Sequence, residues 1–130
     1  MTRMTGYRAS GAIVLLAAGP VMAGPSMLGL WARGDGKAVV RIEPCGANLC
    51  AINTWIRAGT KNEKAGDKLI LTVSPSGPSL MTGQAFDPQR NLTYRMRIEV
   101  GDRTMSSRGC ILAGLLCRSM SWSRLSSASE

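Results

Sequence analysis

The chain has 130 residues, with 16 Lys+Arg against 8 Asp+Glu, a formal charge of +8, four cysteines, six aromatics and no histidine. Without histidine, the usual zinc, haem, Ser-His and Cys-His arrangements lose their central group. At this length one domain is the ceiling, with a core that is adequate but small.

Residues 1–23 read as an export signal. Arg3 and Arg8 precede the apolar run Gly11-Ala-Ile-Val-Leu-Leu-Ala-Ala18, then Gly19-Pro20 and Val21-Met22-Ala23. Small residues at Val21 and Ala23 suit signal peptidase, so cleavage is expected before Gly24. The run is too short to span a bilayer and is broken by Gly-Pro, which argues against an anchor and against an integral membrane protein. No cysteine stands at the cleavage point and no Arg-Arg pair precedes the run, so neither lipidation nor the twin-arginine route is expected. The remaining domain, 24–130, keeps 14 basic and 8 acidic groups, a charge of +6. The predicted location is periplasmic or secreted.

That address makes Cys45, Cys50, Cys110 and Cys117 candidates for two disulfides. Their C-x4-C and C-x6-C spacings, with no histidine to help, do not suit a metal site, and no metal is expected. A catalytic thiol lacks an activating base.

From residue 28 onward the chain reads as β, with turn residues at short intervals and no helical periodicity. Candidate strands fall at 28–33, 37–44, 49–57, 68–74, 79–87, 92–100, 103–111 and 118–125. The clearest is Leu92-Thr-Tyr94-Arg-Met96-Arg-Ile98-Glu-Val100, whose apolar residues alternate with Thr93, Arg95, Arg97 and Glu99; such a strand buries one face and wets the other. The polar stretch 58–67 is the one long connection. Eight short, sequential strands predict an all-β fold, an eight-stranded antiparallel up-and-down barrel in one domain, because closure removes exposed edges. A two-sheet sandwich is the competing arrangement. Alternating Arg95, Arg97 and Glu99 would face lipid in a membrane barrel, which excludes that form.

In this barrel the four cysteines are expected at one end, where three pairings stay open. The local pairs Cys45–Cys50 and Cys110–Cys117 are favoured because each closes a single hairpin. Each disulfide is expected to be structural and to contribute about 2–4 kcal/mol.

Several blocks then carry a resemblance: Gly29-Leu30-Trp31, Arg41-Ile-Glu-Pro-Cys45-Gly-Ala-Asn-Leu-Cys50, Gly83-Gln-Ala-Phe86-Asp87-Pro88 with Tyr94, Arg108-Gly109-Cys110, and Trp122-Ser123-Arg124. In order and spacing the chain resembles the secreted bacterial family catalogued as domain of unknown function 2147. The family's Cys-Gly-Lys/Arg is replaced here by Cys50-Ala51-Ile52. The resemblance implies a small exported barrel similar to lipocalins and fatty-acid-binding proteins, with no agreed activity. The terminal blocks also resemble the lipocalin arrangement in which a first-strand Trp packs on a last-strand Arg, which assigns Trp31, Trp122 and Arg124 to a structural latch. An indole face is a favourable surface for a guanidinium, whose fork also reaches nearby carbonyls.

An eight-stranded barrel either packs solid or holds one small ligand. Tyr94, Met96 and Ile98 are the inward candidates for ligand contact, and flexible Met side chains suit an adaptable apolar cavity. The expected partner is therefore a small apolar ligand. The alternative is an acidic surface partner, such as an anionic lipid headgroup, a cell-wall polymer or an acidic protein, met by the basic surface around Arg90, Arg95 and Arg97. Nucleic acid is not expected, given export and the lack of an aromatic row on the basic face. Asp35, Glu43, Asp67, Asp87, Glu99 and Asp102 sit mostly in turns or on outward faces, and Asp87-Pro88 reads as a turn initiator. No pair is spaced for acid–base work, so no catalytic residue, no enzymatic activity and no cofactor are expected.

Overall fold

A computed structural model describes residues 25–127; the predicted signal segment lies outside the described residues. The elements are β1 (Gly29–Arg33), β2 (Ala38–Cys45), β3 (Asn48–Ile56), β4 (Lys68–Pro75), β5 (Leu80–Asp87), β6 (Leu92–Val100), β7 (Thr104–Ile111), a single 3-10 turn (Leu112–Gly114) and β8 (Leu116–Ser127). All neighbours pair antiparallel, and β1 pairs with β8 to close the barrel in the order β1 to β8. The fold is an up-and-down meander in one domain, and the sandwich alternative falls away.

Alternation sets which side chains face inward. On β6 the register matches Tyr94 to Ala85, Met96 to Gly83 and Ile98 to Met81 on β5, so these side chains share the inner face. Arg95, Arg97 and Glu99 are exposed on the outside. The same phase carries Trp31 and Arg33 on β1, and Val40 and Ile42 on β2, into the interior.

The meander defines two ends. At one lie the chain entry to β1 and the β2–β3, β4–β5 and β6–β7 hairpins; at the other lie residues 34–37, the long 57–67 connection, the 88–91 turn and the 112–115 tip. Trp31, Ile42, Leu71, Ile98, Val100 and Met105 form the buried core, concentrated towards the first end. That end is closed; the second is termed the mouth.

Two glycines permit close backbone approach. A Cβ on Gly83, whose φ is +152°, would lie 2.1 Å from the Thr72 carbonyl oxygen, and one on Gly29, at φ +125°, would lie 2.3 Å from that of Ser126. Only glycine fits either place. Gly29 thereby allows β1 and β8 to meet, next to a register shift between Leu30 and Trp31.

Both disulfides are local, Cys45–Cys50 and Cys110–Cys117. The expectation that all four cysteines gather at one end is corrected. Consecutive strands run in opposite directions, so a strand-2 end and a strand-7 end lie at opposite rims. Cys45–Cys50 braces the closed end and Cys110–Cys117 the mouth. The two bridges point to an extracytoplasmic protein. No helix among the described residues is long and apolar enough to cross a membrane.

Candidate functional site

The interior is not packed solid. Between the closed-end core and the mouth lies a chamber of about 830 Å³, within the range of small-molecule sites.

Its floor is Trp31, which is 0% exposed. The indole Nε1 donates to the Met27 carbonyl at 2.8 Å, and the Arg124 guanidinium stacks on the ring with Cζ 4.2 Å from the centroid. Arg124 also donates from Nε to the Asp102 carbonyl at 2.8 Å, from Nη1 to that of Leu28 at 2.9 Å, and from Nη2 to that of Ser26. One side chain on β8 thus ties together the entry to β1 and the β6–β7 turn. Trp122, two residues earlier on β8, stands on the chamber wall rather than at the floor, its Nε1 donating to Ser107 Oγ at 3.0 Å.

Tyr94, Met96 and Ile98 line the chamber in a row along β6. Met105, Met120 and Trp122 continue the apolar lining on the two following strands. Ala51 and Leu69, facing each other on β3 and β4, form part of the wall on the other side.

At the mouth the lining turns polar, because the 57–67 connection folds over it. Two side-chain straps hold that connection down. Arg33, buried at the end of β1, donates from Nη1 to Glu63 Oε1 at 2.6 Å and from Nη2 to Oε2 at 2.9 Å, a fork-to-carboxylate pair. Its Nε donates to Asp35 Oδ1 at 3.0 Å. The hydrogen bonds from Arg33 hold the Glu63 carboxyl below its ordinary range, against the opposing effect of burial. Burial would raise Asp35, but bonds from Arg33 and the Lys37 amide outweigh it and the carboxyl is lowered.

Asp87 anchors the second strap. It is 2% exposed, and its Oδ1 accepts the backbone N–H of Gln89 at 3.0 Å and of Arg90 at 3.1 Å, the Asx pattern of a turn initiator. Its Oδ2 accepts from Arg90 Nη1 at 2.8 Å, while Arg90 Nη2 reaches the Asn62 carbonyl in the roof. Burial raises the Asp87 carboxyl, but the bonds from Arg90 and Gln89 win and leave it lowered. Backbone bonds between Asn53 and the far end of the roof, Asn53 N to the Asp67 carbonyl and Gly66 N to the Asn53 carbonyl, fix its return into β4.

Of the basic residues singled out from sequence, Arg95 and Arg97 lie on the outer face, with Arg97 directly opposite Arg108 on β7. Arg90 belongs instead to the mouth. Arg33 and Glu63 were not among the residues the sequence singled out. Arg33 carried a signal: two positions after an inward Trp, it must also face inward, and a cation there needs a partner.

Together the fold and site define a class: a small, disulfide-bonded β-barrel with an internal chamber, sealed at one end and partly covered by a polar connection at its open mouth. The chain belongs to the family described as "Uncharacterized protein conserved in bacteria (DUF2147)", whose profile matches residues 29–124. The matched span runs from the start of β1 to Arg124, and so includes the floor, both disulfides and the roof. Neither the curated proteins nor the solved structures compared with the chain yielded a match.

Proposed function

We propose that this barrel is an exported, periplasmic or secreted, module that binds one small apolar molecule in its chamber. The observation that carries the reading is the unfilled interior itself: about 830 Å³ of space whose lower walls are Met, Leu, Ile and aromatic side chains. Burying apolar ligand surface there is favourable at about 25 cal/mol per Å² before the costs of association. The polar mouth suits a ligand with one hydrophilic end. Thr60, in the roof, lines the chamber and carries the buried hydroxyl that lacks a hydrogen-bond partner among the described residues; it is a ready partner for such an end.

The reading is non-catalytic. Four carboxylates line the chamber; Asp35 and Glu63 are bonded to Arg33 and Asp87 to Arg90, and all three are lowered, while Asp67 accepts the Lys64 amide, an arrangement suited to structure more than to proton transfer. The test is native mass spectrometry of the protein recovered from its own cell envelope. The expected result is a one-to-one adduct of small-molecule mass that disappears on denaturation. Repeated spectra of the bare chain, together with no uptake of any apolar probe, would count against it.

A further inference from the structure

We propose that the β7–β8 tip is a membrane-docking element that seats the mouth of the barrel on an anionic lipid surface. Between Cys110 and Cys117 the chain reads Ile111-Leu-Ala-Gly-Leu-Leu116, without one polar side chain. Leu112, Leu115 and Leu116 are 66%, 86% and 57% exposed, whereas a hairpin tip on a water-facing rim ordinarily carries Gly, Asn, Asp or Ser.

The backbone sharpens the contrast. Leu112 and Ala113 stand at φ +54° and +56°, a left-handed conformation that glycine or asparagine adopts more cheaply. The chain keeps Leu where the turn favours a different residue, and the Cys110–Cys117 bridge fixes the base of the loop. Strain of this kind concentrates at functional places.

The apolar exposure is confined by place as well. Six large apolar side chains are exposed among the described residues; Trp55, Leu92 and the three tip leucines lie at the mouth end, and Leu125 lies towards the closed end. Trp55 suits the headgroup level of a bilayer, where indole is enriched.

Charge identifies the occupant. Arg118 directly follows the bridge and Arg95 faces Cys110 across the β6–β7 pair. Arg57, Lys61, Lys64 and Lys68 are exposed at the same end. Of its acidic groups, Asp35 and Glu63 are paired with Arg33 and Asp87 with Arg90, while Asp67 accepts the Lys64 amide and keeps its charge, so cations outnumber acids at this end. An apolar wedge ringed by an excess of exposed cations matches the layering of an anionic interface, acyl chains below and phosphate above. A second copy of the chain fits less well: like charges would meet, and three leucines offer far less than the roughly 1,200 Å² of a stable interface.

The test is co-sedimentation of the exported protein with phosphatidylethanolamine–phosphatidylglycerol vesicles and with phosphatidylcholine vesicles. Binding to the anionic vesicles is expected, about tenfold or more above the neutral ones. Leu112→Ser combined with Leu115→Ser is expected to lower partitioning at least about tenfold with an unchanged melting temperature, because these side chains support no core. Lys61→Gln with Arg95→Gln is expected to remove the preference for anionic lipid. Wild-type protein that stays in the supernatant with the anionic vesicles overturns the proposal in favour of a protein partner. Undiminished binding by the leucine variant, or a lipid-free dimer that the leucine variant abolishes, overturns it as well.

Discussion

Replacing Trp31 by Ala removes the floor of the chamber, and its cost follows from what the indole touches. The side chain is fully buried at the closed end, so its loss falls in the class of large-to-small core changes, about 3–5 kcal/mol. Two local interactions lie within that figure. The Met27 carbonyl loses the Nε1 donor at 2.8 Å, worth about 1 kcal/mol net, and the Arg124 guanidinium loses the ring face, worth about 0.5–2 kcal/mol. For a domain of this size each kcal/mol shifts the melting temperature by about 4–8 °C, so a fall of roughly 12–40 °C is expected in thermal denaturation. Such a loss is a large part of the stability of about 5–15 kcal/mol that a domain has. A double-mutant cycle with Arg124→Ala isolates the stacking energy, expected at about 0.5–2 kcal/mol. A Trp31→Ala variant that melts within a few degrees of wild type, or a cycle coupling indistinguishable from zero, would refute the latch.

The other expectations concern the roof, the bridges and the strand contacts. Glu63 and Asp87 have carboxyl groups lowered by arginine, so the stability they add is present above their ordinary ranges, near 4.5 and 3.8, and is lost as pH falls through the depressed values. The melting temperature should therefore fall steeply below about pH 4; Glu63→Gln should lessen that slope and, at neutral pH, raise amide exchange in residues 58–67 by roughly tenfold. An unchanged exchange pattern would mean that the Arg33 fork does not hold the roof. Replacing Cys45 and Cys50 together by Ser should cost about 2 kcal/mol in denaturant unfolding, the small figure reflecting a short loop. Gly83→Ala should abolish accumulation of folded protein, since its Cβ would sit 2.1 Å from backbone oxygen; a well-folded variant would show that β4 and β5 can separate there.

Much of the barrel is legible in the amino-acid order because period-2 alternation is a local property. The run 92–100 fixes β6 to the residue, and the other seven strands fall within two residues of their places in the structure. The local disulfides follow from hairpin geometry. Their placement at opposite rims follows from counting strand directions, a step that spacing alone does not supply. Arg33 and Glu63 lie 30 positions apart, so nothing local announces their pairing. The chamber is equally hidden, since an inward Tyr94 or Met96 looks the same in sequence whether the facing wall touches it or stands back. The exposed tip shows the limit from the other side. An apolar run such as Ile111–Leu116 has the composition of a buried strand end, and only its position on the rim reveals that it meets no core.

Whether the chamber holds a ligand is tested most directly by titration of an apolar fluorophore against the wild type and Ala51→Phe. Ala51 lines the wall on the side away from β6, so a phenyl group there takes up chamber space. Saturable binding at one probe per barrel is predicted, weakened by at least about tenfold in Ala51→Phe while the melting temperature holds. Absent binding in the wild type, or equal binding by the filled barrel, would contradict the chamber as the site.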